Sequence, residues 1–169
     1  MKFQVDTISI EIFPLNNTYE LQKLFEDSKD YIELIEGRLP QADEAADLLQ
    51  TLPPGKTLKD KFVLGVYEKD LLIGVIDLIK DYPEENIWFI GLLLLSPEYR
   101  NKGLGHKIYN KLKNELISLE QLKAIRISVS EQNTQALDFW RELGFTDLYS
   151  KKENRGDQEL NFMYLEDKF

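Results

Sequence analysis

Apolar and polar residues alternate from Phe3 to Phe13 (Phe3, Val5, then Ile8, Ile10, Ile12), with a slip of phase near Asp6-Thr7. This pattern predicts one N-terminal strand that Pro14 ends. The period then lengthens. Asn17 or Thr18 can cap a helix carrying Leu21, Leu24 and Phe25, and a second helix from Asp30 carries Tyr31, Leu34 and Ile35 until Gly37. Asp43 to Leu49 is a third short helix, broken by Pro53-Pro54-Gly55. Lys61 to Glu68 and Leu71 to Ile79 are β-rich runs around Lys69-Asp70, the pattern of a hairpin. Ile87 to Leu95 is apolar throughout, as a central strand covered on both faces must be, and Pro97 closes it. Apolar residues at 104, 108, 112, 116 and 119 then predict a helix with one buried stripe. Ala124 to Val129 is a strand, Thr134 to Leu143 a helix stopped by Gly144, and Thr146 to Lys152 and Leu160 to Leu165 are two strands around a turn at Asn154-Arg155-Gly156.

The order β, helices, ββ, β-α-β-α, ββ predicts an α+β fold with a mixed, mostly antiparallel sheet of about seven strands flanked by helices. No repeat or linker interrupts it, so residues 1–169 are expected to form a single domain. Composition narrows the chemistry. Acids outnumber bases 30 to 21, giving a net charge of −9, which argues against nucleic acid as a partner. The chain has no Cys and one His, which excludes thiolate chemistry and multi-histidine zinc; no metal is expected. No secretory pattern is visible and the longest apolar run is about half a membrane span, so a cytoplasmic, membrane-free protein is expected.

One segment stands out. Arg100-Asn101-Lys102-Gly103-Leu104-Gly105-His106-Lys107 lies between the buried strand and the amphipathic helix. Glycines without a Cβ, unpaired N–H groups of a first helical turn and three cationic side chains make an anion site, suited to phosphate. The third glycine of a dinucleotide fingerprint and the Gly-Lys-Ser/Thr of a P-loop are both missing. Thirty residues on, a strand runs into Asn133-Thr134-Gln135-Ala136-Leu137-Asp138-Phe139-Trp140, followed by Gly144-Phe145.

Together these segments resemble the GNAT superfamily of N-acetyltransferases, whose cofactor motif is Arg/Gln-x-x-Gly-x-Gly/Ala. Its following motif is a strand, Asn, Ala three later, Phe-Tyr three after that, then Gly-Phe. The resemblance implies a pair of splayed central strands and an acetyl-CoA-binding core over 87–145, with the N-terminal third on the acceptor side. It implies that Arg100 to Lys107 (Arg100, Asn101, Lys102, Gly103, Leu104, Gly105, His106, Lys107) wrap the pyrophosphate. Leu93, Leu94 and Leu95 would pair with the pantetheine arm through their main chain and orient the acetyl carbonyl. Asn133 would hydrogen-bond the pantetheine, and Phe139 and Trp140 would lie near the thiol.

Trp140 replaces the family's usual Tyr, commonly assigned as the acid for the departing thiolate, and an indole N–H does not release a proton near neutral pH. Either another tyrosine serves, or solvent protonates the thiolate, or the activity is modest; Trp140 is a candidate catalytic residue, against plain core packing. No carboxylate stands on the strand before the cofactor loop. Asp77, in an otherwise apolar strand, is the candidate base or acceptor anchor, against an outward-facing or structural role. Asp30, Glu33 and Glu36, with Tyr31 as an aromatic wall, are the candidate acceptor contacts among acids that form either a cation-attracting mouth or plain solvated helix faces. His106 sits at the wrong end of the cofactor for a base. The expectation is an N-acetyltransferase acting on a small cationic amine by direct attack in a ternary complex, as a monomer or homodimer. A non-catalytic acyl-CoA sensor and a protein or peptide acetyltransferase are the alternatives.

Overall fold

A computed structural model describes residues 1–119, 121–155 and 158–169. The expected turn residue Gly156 and the side chain of Leu119 lie outside the described residues. Among the described residues, eight strands form one sheet: β1 (Lys2–Val5), β2 (Ile8–Ile12), β3 (Lys61–Glu68), β4 (Leu71–Ile79), β5 (Ile87–Leu95), β6 (Ala124–Ser130), β7 (Thr146–Arg155) and β8 (Gln158–Lys168). Their spatial order is β1-β2-β3-β4-β5-β6-β8-β7, and every neighbouring pair is antiparallel except β5 and β6. The helices are α1 (Thr18–Asp27), α2 (Lys29–Glu36), α3 (Glu44–Gln50), α4 (Leu104–Leu119) and α5 (Thr134–Glu142), with a 3₁₀ turn over Pro97–Tyr99.

The eighth strand comes from the N-terminus. The slip at Asp6-Thr7 is a turn with Asp6 at φ 52°, and it folds the expected single strand into a hairpin pairing Val5 with Ile8. The β3–β4 hairpin turns at Lys69-Asp70 as the sequence pattern indicates, with Lys69 at φ 55°. At the other end Asn154 and Arg155 belong to β7, which runs past the expected Lys152.

Both faces of the sheet are covered, which is why β4 is buried along almost its whole length. Leu64, Ile76, Leu78 and Ile90 pack against Ile108, Tyr109, Leu112 and Leu116 of α4 and against Leu137 and Trp140 of α5. Val63, Val75 and Leu94 face the other way, onto Leu21, Leu24 and Phe25 of α1, Ile32 of α2, and Ala45 and Leu49 of α3. In α2 the buried anchor is Ile32, whereas Leu34 is 41% exposed.

The register sets the site. β5 pairs with β6 only from Ile87↔Ala124 to Ile90↔Ile127. Beyond Ile90 it follows β4 alone, Leu92 opposite Asp77 and Leu95 opposite Gly74, so the two parallel strands part at the middle of the sheet. A bulge at Gly91 marks the parting. A Cβ there would lie 2.7 Å from Asp77 Oδ2, so any side chain at this position would force the carboxylate to shift.

Candidate functional site

Two cavities flank the point where β5 leaves β6. The first, about 470 Å³, is lined by Leu93, Leu94 and Leu95 of β5, by Arg100, Asn101, Gly103, Gly105 and His106, and by Asn133, Phe139 and Trp140 of α5 and its cap. Asp30 and Tyr31 of α2 close its far wall. This is the cleft that the glycine segment and the Asn133 segment were expected to share.

Local chemistry shapes it. Asn101 and Gly103 both take positive φ, 58° and 75°, curling the chain into a concave turn of successive N–H groups. The hydrogen-bond ladder of α4 begins with Lys107 N–H donating to Gly103 O at 3.2 Å, so the N–H groups of Leu104, Gly105 and His106 point out of the helix's positive end. A Cβ on Gly105 would come within 3.1 Å of the Phe139 ring, so the bare Cα keeps this wall open. Arg100 is held rigidly: its Nε donates to Leu95 O at 2.7 Å and Nη1 to Asp30 Oδ2 at 2.5 Å. Its Nη2 is buried and, among the described residues, has no partner. A buried guanidinium N–H without an acceptor costs free energy that an anionic ligand would recover.

Other expected residues sit differently. Lys107 reaches away to Asp6 at 2.7 Å, and neither it, Lys102 nor Leu104 lines the cleft. Asn133 lines it but is also the N-cap of α5, its Oδ1 accepting from Ala136 N–H at 3.1 Å, which leaves the amide NH₂ for a ligand. His106 contacts Glu142 at 3.2 Å and packs edge-on to Phe139. Trp140 is 6% exposed, its ring wedged between Tyr109, Phe139 and Phe145.

The second cavity, about 790 Å³, lies on the α1–α3 side of the sheet. Its walls include the aromatic rings of Phe25, Tyr31, Tyr82, Phe89, Phe162 and Tyr164, the bulge at Gly91-Leu92, and the carboxylates of Glu36, Glu44, Asp47, Asp77 and Glu153. Arg38, Lys151, Lys152 and Arg155 stand among them. Arg38 pairs with Glu36 and Glu44, and Arg155 with Glu153 at 2.9 Å. Of the expected acceptor contacts, Glu36 and Tyr31 line this cavity; Asp30 lies in the first cleft with Arg100, and Glu33 is exposed outside both.

Asp77 is inward-facing and has a partner that sequence pattern did not indicate: Lys61 Nζ lies 2.8 Å from its Oδ1, with side chains 3% and 10% exposed. Burial pushes the Asp77 carboxyl above the usual range, opposed by the Lys61 charge. Among the described residues, Tyr31 is the one that lines both cavities. Burial raises its phenol to about 12.

Residues 19–145 match the model of the acetyltransferase (GNAT) family, and the chain belongs to that family. Among curated proteins it is 30% identical over 88 residues to the spermine/spermidine N(1)-acetyltransferase of Bacillus subtilis strain 168, across 48% of this chain and 57% of that one. The chain thus spans little more than half the length of this relative. Among solved structures, an acetyltransferase from Thermus thermophilus superposes with TM-score 0.78 at 20% identity, covering 96% of this chain and 97% of the other. The microcin C7 self-immunity acetyltransferase, in complex with acetyl-CoA and AMP, superposes at TM-score 0.77 and 18% identity over 98% and 94%. The shared fold is the acyl-CoA N-acyltransferase sheet.

The residues present fit an acyl-coenzyme A: an anion cradle at one end of the first cleft, an unpartnered guanidinium N–H, and a main-chain edge on β5 freed by the splay.

Proposed function

We propose that this chain is an N-acetyltransferase that moves the acetyl group of acetyl-CoA to a primary amine by direct attack, with both substrates bound at once. The observation that carries this reading is the meeting of two cavities, an anion cradle on one side and a carboxylate on the other, at the parting of β5 and β6. When bound, acetyl-CoA supplies an activated thioester carbonyl. The chain supplies position and polarity. The N–H groups of Gly105 and His106, with Arg100, hold the diphosphate; the main chain of Leu93 to Leu95 and the Asn133 amide align the pantetheine; Phe139 and Trp140 wall the thiol end.

Asp77 faces the acceptor cavity beside Leu92, and its raised carboxyl suits it to take the proton that an ammonium must lose before attack. Aromatic walls with interspersed carboxylates favour a cationic amine. The B. subtilis relative, whose name gives it polyamine acceptors, supports the same class. The acceptor is therefore a small cationic amine.

The test is thermal-shift screening with acetyl-CoA, CoA, NAD and ATP, followed by a thiol-release assay over amines that includes polyamines and peptides. Stabilisation by acetyl-CoA and CoA with turnover of cationic amines is the expected result. Stabilisation by NAD or ATP alone would overturn it. Binding without turnover would support a sensor, the reading that the burial of Trp140 in its ring cluster favours.

A further inference from the structure

Lys61 is a buried cation that the proposed chemistry has not used. It opens β3 opposite Ile79, two residues from Asp77 along β4, so both side chains leave the same face of the hairpin. Its Nζ sits 2.8 Å from Asp77 Oδ1 and donates to Thr51 O at 3.0 Å. Thr51 caps the C-terminal end of α3, the helix that brings Glu44, Asp47 and Leu48 to the acceptor cavity. Lys61 itself is not on the cavity wall, so an acceptor would touch Asp77 and not the ammonium beneath it.

The two oxygens of Asp77 are thereby told apart. Lys61 lies at Oδ1, whereas Oδ2 lies toward Gly91, at the bulge where β5 parts from β6. Other charges on this cavity are engaged elsewhere or exposed. Arg38 pairs with Glu36 and Glu44, Arg155 with Glu153, and Lys152 with Glu159, while Asp47 and Lys151 face solvent. The remaining titratable groups on the wall are the phenols of Tyr31, Tyr82 and Tyr164, and β5 contributes none.

Resting on the function proposed above, we propose that Lys61 is a positioning residue for acceptor deprotonation: its ammonium keeps Asp77 ionised and holds Oδ1, which leaves Oδ2 to face the acceptor. In that step an N–H bond of the acceptor ammonium breaks and its electron pair stays on nitrogen for attack. The proton goes to Asp77 Oδ2 and from there to water; Lys61 gives up none. Without the Lys61 charge, burial would act unopposed on Asp77 and favour the neutral acid, which cannot serve as a base.

The test compares the full chain with Lys61→Met. The first readout needs no turnover: the titration of the Asp77 carboxyl by carbon-13 NMR in the ligand-free chain, assigned by the signal that Asp77→Asn removes. In the unsubstituted chain this carboxyl is expected to be ionised at neutral pH, and Lys61→Met is expected to raise its midpoint by about one to three units. The second readout is the pH profile. The acid limb of kcat/KM for the amine should move up by the same amount, so that activity lost below it returns at higher pH, and Lys61→Arg, which keeps the charge, should hold the limb near its original place. An equal loss at every pH with the midpoint unmoved would make Lys61 merely structural and overturn the proposal. So would an Asp77 carboxyl still protonated at neutral pH in the unsubstituted chain, a result that needs no variant to fold. Both outcomes leave the acetyltransferase reading in place, whereas failure of the unsubstituted chain to bind acetyl-CoA would remove that reading and this role with it.

Discussion

The buried Lys61–Asp77 pair bears on stability and, on the proposed function, on the base. Removing one partner leaves the other charge stranded, which costs about 3–5 kcal/mol, whereas replacing both groups with neutral ones restores much of the stability. Asp77→Asn is therefore expected to lower the melting temperature sharply and Lys61→Met/Asp77→Asn to recover it, measured by calorimetry. Because burial raises the folded carboxyl above its unfolded value, the unfolded chain releases this proton first as pH rises. The group's contribution to stability thus declines from the ordinary carboxylate range up to the folded pKa. For activity the sign runs the other way, since a base must be ionised. The kcat/KM profile is expected to show an acid limb above the usual carboxylate range, and this limb should vanish in the double variant. Asn133 combines an observed cap with a proposed binding role. Asn133→Ser keeps a side-chain acceptor for Ala136 N–H but loses the amide donor, so stability should hold while acetyl-CoA binding, by calorimetric titration, weakens about tenfold. The sequence placed Asp77 in an apolar strand but could not pair it with Lys61. The two are 16 residues apart, and only the β3–β4 register brings them together.

Among the elements, the turn that opens α4 has two separable properties. Gly103 has φ +75° with open space around a built Cβ, so Gly103→Ala costs backbone strain of about 1 kcal/mol without a clash. Gly144, at φ +97° and equally open, lies outside both cavities. Gly144→Ala is expected to cost a similar amount by denaturant unfolding and to leave acetyl-CoA affinity unchanged, whereas Gly103→Ala should weaken it about tenfold by turning N–H groups off the ligand. Elements with a strong period were readable: the bounds of β3, β4, β5 and α4 agree with the pattern of apolar positions. The N-terminal hairpin was not, because its turn rests on Asp6 at positive φ, where no glycine advertises it. In α2 the apolar residues Tyr31, Ile32, Leu34 and Ile35 crowd one another, and the pattern alone did not single out Ile32 as the buried one.

Across the whole molecule, a chain of net charge −9 binds a polyanion only where the charge is locally reversed. On the proposed function, few groups would do this: helix-end N–H, a guanidinium whose Nη2 is buried, and a strand edge bared by the splay. Two motifs read from sequence mark the first cleft closely, since its lining includes Arg100, Gly103, Gly105, Asn133 and Phe139. The acceptor side was less legible. Its wall is assembled from α1–α3, β4, β5, β7 and β8, and residues such as Tyr82, Phe89, Phe162 and Tyr164 belong to no local motif. The acids of the N-terminal helices divide once folded: Asp30 pairs with Arg100 and Glu33 faces solvent, whereas Glu36, Glu44 and Asp47 line the acceptor cavity.

Amide hydrogen exchange of the full chain, with and without saturating acetyl-CoA, tests the central proposition most directly. Slowed exchange at residues 103–106 and along Leu93 to Leu95, with β1, β2 and β7 unaffected, is the expected pattern. Unchanged exchange at the opening turn of α4 under demonstrated saturation would contradict it.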